Sequence, residues 1–197
     1  MRVYGDLTSG NCWKVKALAN RLGLDYAWEE VSAVTGTTRE PWFLELNPAG
    51  QIPVVVFDDG SALAQSNAIL LHLGETSPFV PNEPFGRAKM LEWLFWEQYS
   101  HEPYIAVCRL HMVFAGGSKA TRAPERVTRG EAALDLMEGH LREADWLAAS
   151  RPTLADLALV AYTRLADEGG FDLATRPAVG AWIDRTLDAF GGGTPQR

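Results

Sequence analysis

Apolar and polar positions along this chain follow two periods, and the first 75 residues use both. Val15, Leu18, Ala19 and Leu22 recur at intervals of three and four, the spacing of one helical face, and predict an amphipathic helix over residues 11–22. Gly23 follows as its stop. Arg2–Tyr4 predicts a short strand ended by Gly5, Tyr26–Val31 a second, and the β-branched run Val54–Phe57 a third. Asp58-Asp59-Gly60 is a turn signal that returns the chain along Ser61–Ala64 as a hairpin partner. Pro41–Leu46 predicts a short helix ahead of Asn47-Pro48, and Ser66 predicts the cap of a helix carrying Ile69, Leu70 and Leu73. The order is βαβ, a helical crossover, then ββα, which makes a small mixed sheet with helices packed on it.

After residue 84 the period is helical throughout. Met90, Leu91, Leu94, Phe95, Ile105 and Leu110 mark residues 85–114, with Pro103 inside the segment. A proline in a helix interior costs about 3 kcal/mol, so a kink or break is expected there. Leu134, Met137 and Leu141 mark a further helix, Leu154, Leu157, Ala161 and Leu165 another, and Val179, Trp182, Ile183 and Leu187 the last. Gly74–Pro84 and Gly116-Gly117-Ser118 read as connectors, and the tail after Gly191 is expected to fray. The expected organisation is a domain over residues 1–75, a linker over 76–84 and an all-helical domain over 85–197.

Charge narrows the function classes. The chain carries 18 Lys/Arg against 25 Asp/Glu, a formal net charge of −7. Both parts are acidic: five basic against nine acidic residues up to position 75, thirteen against sixteen beyond it. Nucleic-acid binding needs a positive surface, so it is not expected. No apolar stretch approaches the roughly 18 residues of a membrane span. The opening Met1-Arg2-Val3-Tyr4-Gly5 has no signal-peptide core. Cys12 and Cys108 stand far apart and lack partners at metal-ligand spacing, so no metal is expected. These features predict a soluble, reduced, cytoplasmic protein.

Three segments of the first domain carry candidate chemistry. Thr8-Ser9-Gly10-Asn11-Cys12 joins the first strand to the first helix, where free N–H groups and positive potential favour an anion such as a thiolate. Asn47-Pro48-Ala49-Gly50-Gln51-Ile52-Pro53-Val54 places a proline at a strand head, where a cis bond before Pro53 would turn the Ile52 backbone outward to pair with an extended peptide. Gln65-Ser66-Asn67 opens a helix whose N-terminus can take a carboxylate. Taken singly, each segment also reads as ordinary capping or strand entry.

In order, the motifs resemble the cytosolic glutathione transferase family over nearly the whole chain. Tyr4-Gly-Asp-Leu-Thr-Ser9-Gly-Asn-Cys12 resembles the first turn of theta-like and related bacterial members, in which a serine at the Ser9 position hydrogen-bonds the glutathione sulfur. Asn47-Pro-x-Gly-Gln-Ile-Pro53 resembles the family's cis-proline loop, and Gln65-Ser66-Asn67-Ala-Ile-Leu70 resembles the motif that holds the γ-glutamyl end. Arg151-Pro-Thr153-Leu-Ala-Asp156 resembles the capping motif of its buried helix. The resemblance implies a thioredoxin-like domain followed by an all-helical domain, glutathione as co-substrate, a small hydrophobic electrophile as second substrate, and a homodimer. It implies that Ser9, Asn11, Gln51, Ile52, Pro53, Gln65 and Ser66 bind glutathione, with Ser9 and Asn11 catalytic. Tyr99, His101, Tyr104, Cys108 and His111 are the candidates for the second substrate.

Two positions depart from the family pattern. Gln65 stands where an acid is usual and cannot ion-pair with the glutathione ammonium. Trp13 stands where theta-class members often carry Arg. Tyr4 is a rival donor to the sulfur. Cys12, in a first helical turn, opens a monothiol route to disulfide exchange. A glutathione-binding or interaction protein without turnover is the third class.

Overall fold

In a computed structural model of the chain, residues 1–191 are described. The expectation for the tail after Gly191 lies outside the described residues. The chain divides into two compact units, Met1–Ser77 and a second that begins at Pro78.

The first unit is a four-stranded sheet with helices. Its elements are β1 (Arg2–Gly5), α1 (Gly10–Arg21), β2 (Ala27–Glu30), α2 (Pro41–Leu46), β3 (Val54–Val56), β4 (Ala62–Ala64) and α3 (Ser66–Gly74). Strand order is β2-β1-β3-β4. β1 and β2 are parallel and joined by the α1 crossover, while β3 runs antiparallel to both β1 and β4. The predicted βαβαββα order is the observed one. Gly23 ends α1 in the left-handed region at φ 65, with Gly23 N–H bonded to Asn20 and Leu24 N–H to Ala19. That is the double bond of a Schellman stop. Val31, Phe43 and Val54 form a core cluster to which Tyr4, Ile52 and Ala64 add partly buried surface.

The second unit is helical: α4 (Pro84–Trp96), α5 (Glu102–Arg109), α6 (Pro124–Leu141), α7 (Leu154–Thr163) and α8 (Pro177–Ala189). The break expected at Pro103 is a widened turn. Residues Glu97–His101 wind as a π-helix, and the Glu102 N–H bonds back five residues to Glu97. Pro103 then falls in the first turn of α5, where no intrahelical donor is required of it. A second π turn, Leu110–Phe114, follows α5.

All ten residues of α7 are buried, and one carboxylate fixes its start. Thr153 Oγ1 accepts from Ala155 N–H, and Asp156 Oδ2 takes the Thr153 N–H at 2.8 Å. Asp156 Oδ1 takes the Leu147 N–H and the Trp182 indole N–H, each at 2.9 Å. Asp156 is fully buried, and burial pushes its carboxyl above the ordinary range while these donors pull the other way. Truncation would strand donors from the 147 loop, the helix cap and α8. Asp156→Ala is therefore expected to cost about 3 kcal/mol or more, and Asp156→Asn less, read from urea unfolding midpoints.

Candidate active site

Strand register brings the candidate segments together. Tyr4 pairs with Val54, and Val54 pairs with Ala64. The end of β1, the start of β3 and the end of β4 therefore share one row at one end of the sheet. The segments leaving that row are the β1–α1 turn, residues 51–53 and residues 65–66.

Ser9 caps α1 in an extended conformation. Its Oγ accepts from Cys12 N–H at 3.4 Å, and its carbonyl accepts from Trp13 N–H at 2.9 Å. The cap uses a lone pair of the hydroxyl and leaves its proton to donate. Behind it, Asp6 is buried and shapes the turn. Its Oδ1 accepts the Thr8 N–H at 2.8 Å and the Thr8 hydroxyl at 2.7 Å, and its carbonyl accepts Ser9 N–H at 3.0 Å.

Ser66 differs from its expected role as a cap. Gln65 occupies the N-cap position of α3 at φ 68 and ψ 108 and makes no side-chain cap bond; Ser66 is the first helical residue. The Ser66 hydroxyl instead donates to Asn11 Oδ1 at 2.9 Å, which joins the α1 and α3 starts across 55 residues. Gln65 is the one non-glycine at positive φ among the described residues. Such a backbone costs about 1 kcal/mol or more and marks a place where surrounding structure dictates the conformation.

The third segment is held by Asn47. Its Nδ2 donates to the Gln51 carbonyl at 2.8 Å, and its Oδ1 accepts from Ala49 N–H at 3.2 Å. Gly50 has φ 61, and a Cβ there would lie 2.7 Å from Arg39 Nη1 and 2.9 Å from the Thr38 carbonyl. The Ile52–Pro53 peptide bond is cis. Arg39 reaches this loop through Nη1 to the Ala49 carbonyl at 3.3 Å, and it brings an exposed cation that sequence reasoning missed. Arg39 lies outside the three motifs, eight residues ahead of Asn47 at the end of a 3-10 turn, and α2 between them folds it back onto the 49–50 loop.

Cys12 sits on the inner side of α1. It is fully buried, and a Cβ on Gly5 would come within 2.9 Å of its sulfur. Burial pushes its thiol up to about 11; the charges of Asp6 and Glu30 act in the same direction, against hydrogen bonds from the Asp6 backbone and Ser9.

The second-substrate candidates disperse within the helical unit. Tyr99 is 76% exposed. His101 is fully buried, and its Nε2 lies 2.9 Å from Thr163 Oγ1. Because that hydroxyl donates to the Leu159 carbonyl, Nε2 carries the proton of the pair. The Tyr104 hydroxyl accepts from Arg129 Nη1 at 3.0 Å, beside a cavity of about 190 Å³ lined by Trp96, Ser100, Ala133 and Leu136. Cys108 packs in a core cluster with Ile105, Leu134 and Phe171, and burial raises its pKa against the pull of Arg122 and Arg126. His111 meets Thr121 Oγ1 at 2.9 Å. The same stretch exposes Leu110, whose spacing predicts a place on the apolar helical face, together with Val113 and Phe114.

Comparison with known proteins decides the family. Residues 8–76 match the profile of the glutathione S-transferase N-terminal domain, and residues 94–188 match that of the C-terminal domain. Glutathione S-transferase 3 of Zea mays is 30% identical over 92% of this chain and 86% of its own length. The chain belongs to the glutathione S-transferase family. Among solved structures, a glutathione S-transferase from Pseudomonas fluorescens is 46% identical with a TM-score of 0.91, covering 94% of each chain. Another from Xanthobacter autotrophicus is 50% identical with a TM-score of 0.89, covering 94% of this chain and 92% of that one. The family's fold, a thioredoxin-like domain followed by a helical domain, is the one described above. Among the described residues, no helix is long and apolar enough to cross a membrane.

The Cys12 thiol gives a test of the site's electrostatics. A thiol with folded pKa near 11 binds its proton more tightly folded than unfolded, where 9.0 is ordinary. Its contribution to stability is full below pH 9 and falls by about 1.4 kcal/mol per unit between 9 and 11. Labelling of native protein with a thiol reagent should show no Cys12 reaction plateau below pH 10. A plateau near pH 7 would show a reactive thiolate and contradict the burial.

Proposed function

We propose that this chain is a glutathione transferase that joins the glutathione thiolate to small hydrophobic electrophiles, with Ser9 as hydrogen-bond donor to the sulfur. The observation that carries the reading is the Tyr4–Val54–Ala64 row, which gathers the Ser9 turn, the 51–53 strand head and the Gln65–Ser66 helix start at one sheet end. An extended tripeptide needs three kinds of contact, and this end of the sheet offers them. Ile52, between Gln51 and Pro53, supplies backbone groups for the cysteinyl residue. The backbone N–H groups at the start of α3 supply donors for the γ-glutamyl carboxylate, since the proton of the Ser66 hydroxyl goes to Asn11. Arg39 supplies a cation for the glycyl carboxylate.

A free thiol has a pKa near 8.5 and is mostly protonated at neutral pH. A hydrogen bond from Ser9 and the positive end of α1 both favour the thiolate. Together they lower the thiol pKa by about 2 units, equal to about 2.7 kcal/mol. The thiol proton leaves to solvent, the sulfur attacks the electrophilic carbon, the C–S bond forms and the leaving group departs with its electron pair. Asn11 acts through Ser66, whose hydroxyl it orients. Gln65 presents a neutral amide to the ammonium, so affinity for glutathione is modest.

Burial of Cys12 supports transfer over disulfide exchange, because a shielded thiol is a poor nucleophile. Packing of Tyr4 into the sheet's core cluster supports Ser9 as the donor. For the second substrate, Tyr99, Tyr104 and His111 keep accessible surface, whereas His101 and Cys108 are buried in the helical unit and offer it none. Phe85 and Phe95, 75% and 73% exposed, fit burial against a second copy in a homodimer.

Ser9→Ala should raise the pKa of bound glutathione by about 1 unit, the share of Ser9 in the combined lowering, and lower kcat/KM with an aryl halide at pH 6.5 by about fivefold. Cys12→Ala should retain that activity. Thiolate absorbance and initial rates across pH check both, and an unchanged Ser9→Ala enzyme would refute the assignment.

A further inference from the structure

Asp6 is a buried carboxylate inside the first-turn motif to which the proposed reaction assigns no role. It follows the last residue of β1 and precedes the Ser9 turn. One oxygen, Oδ1, closes the turn by accepting both the N–H and the hydroxyl of Thr8, at 2.8 and 2.7 Å. The Asp6 carbonyl takes the next N–H, that of Ser9, at 3.0 Å. Three consecutive bonds therefore fix the two residues before α1, and the Ser9 hydroxyl is aimed by the backbone they hold. A free turn would let Ser9 leave its extended conformation and swing the hydroxyl away from the helix end.

The sign of the charge makes the arrangement informative. A carboxylate near the mouth of a thiolate site opposes the thiolate: the charge of Asp6 opposes ionisation of Cys12, while a hydrogen bond from the Asp6 backbone favours it. The other charged or titratable groups of the elements at this turn are Arg2 and Tyr4 on β1, Cys12, Lys14, Lys16 and Arg21 on α1, and Glu29 and Glu30 on β2, where Glu30 pairs with Gly5. Asp6 works against the anion as a charge and for it as an anchor.

We infer that Asp6 is a positioning residue for the reaction: through Thr8 it fixes the turn that aims the Ser9 hydroxyl at the glutathione sulfur. The inference rests on the Ser9 reading above and adds that the Asp6 oxygen, not its charge, is the working group. Asn keeps an oxygen in the Oδ1 position and removes the charge; Ala removes both.

The experiment compares Asp6→Ala, Asp6→Asn, Ser9→Ala and the Asp6→Ala/Ser9→Ala pair. It reads the thiolate absorbance of bound glutathione against pH, and amide exchange at Cys12, whose N–H bonds to Ser9 Oγ. Circular dichroism verifies that each variant is folded. Asp6→Ala should raise the bound-thiol pKa by about 1 unit and speed Cys12 exchange at least tenfold, with no further pKa rise in the Ser9→Ala background. Asp6→Asn should leave the thiol pKa at or below the wild-type value and Cys12 exchange within about threefold. Equal pKa rises in Asp6→Asn and Asp6→Ala, additive effects with Ser9→Ala, or unchanged Cys12 exchange in Asp6→Ala would overturn the inference. If Ser9→Ala leaves the thiol pKa unchanged while Asp6→Ala still speeds Cys12 exchange, the Ser9 reading fails and the anchor stands.

Discussion

The row of strand pairs from Tyr4 through Val54 to Ala64 is the constraint on which the site depends. Because β3 runs antiparallel to its two neighbours, its first residue lies beside the last residues of both. A shift of one residue in either pairing would turn Val54 to the opposite face and separate the three segments. Apolar packing guards that register: Val54 is fully buried with Phe43 and Val31, and Ile52 and Ala64 pack against them. Core packing and site geometry are thus fixed by the same residues.

Local chemistry then refines what the register gathers. Two of the three segments are held by side chains close to them in sequence, and the third by one 55 residues away. Asp6 holds the Ser9 turn, Asn47 holds the 49–51 loop, and Asn11 is tied to Ser66 between two helix starts. These bonds cost little, since the groups they join would otherwise be bonded to water, but they restrict where each donor points. Gln65 is the exception that adds strain, at φ 68, in the segment where the family motif begins.

Much of this was legible in the sequence. Hydrophobic spacing places α1, α2, α7 and α8, and β-branched and turn residues place the hairpin of β3 and β4, because local period and local chemistry agree there. The Thr153–Asp156 spacing announces a capping box, and the structure adds the Leu147 and Trp182 donors to the same carboxylate. Pro103 announces a break, but not that a π turn would absorb it. What sequence could not supply was long-range placement. Ser66 reads as a cap, yet its hydroxyl goes to Asn11; Arg39 belongs to no motif, yet it reaches the 49–50 loop. His101 and Cys108 carry chemistry-bearing side chains, yet the helical spacing that carries them inward also buries them. Residue type names what a group can do, and only packing decides whether it is available.

The account's central claim is that three segments at one sheet end form a single glutathione site with its sulfur at Ser9. A crystal structure with glutathione bound tests it most directly. The tripeptide should lie across the strand head, its cysteinyl backbone paired with Ile52, its γ-glutamyl carboxylate at Ser66 and its sulfur within about 3.5 Å of Ser9 Oγ. A sulfur bonded to the Tyr4 hydroxyl, or a tripeptide seated away from the Tyr4–Val54–Ala64 row, would contradict it.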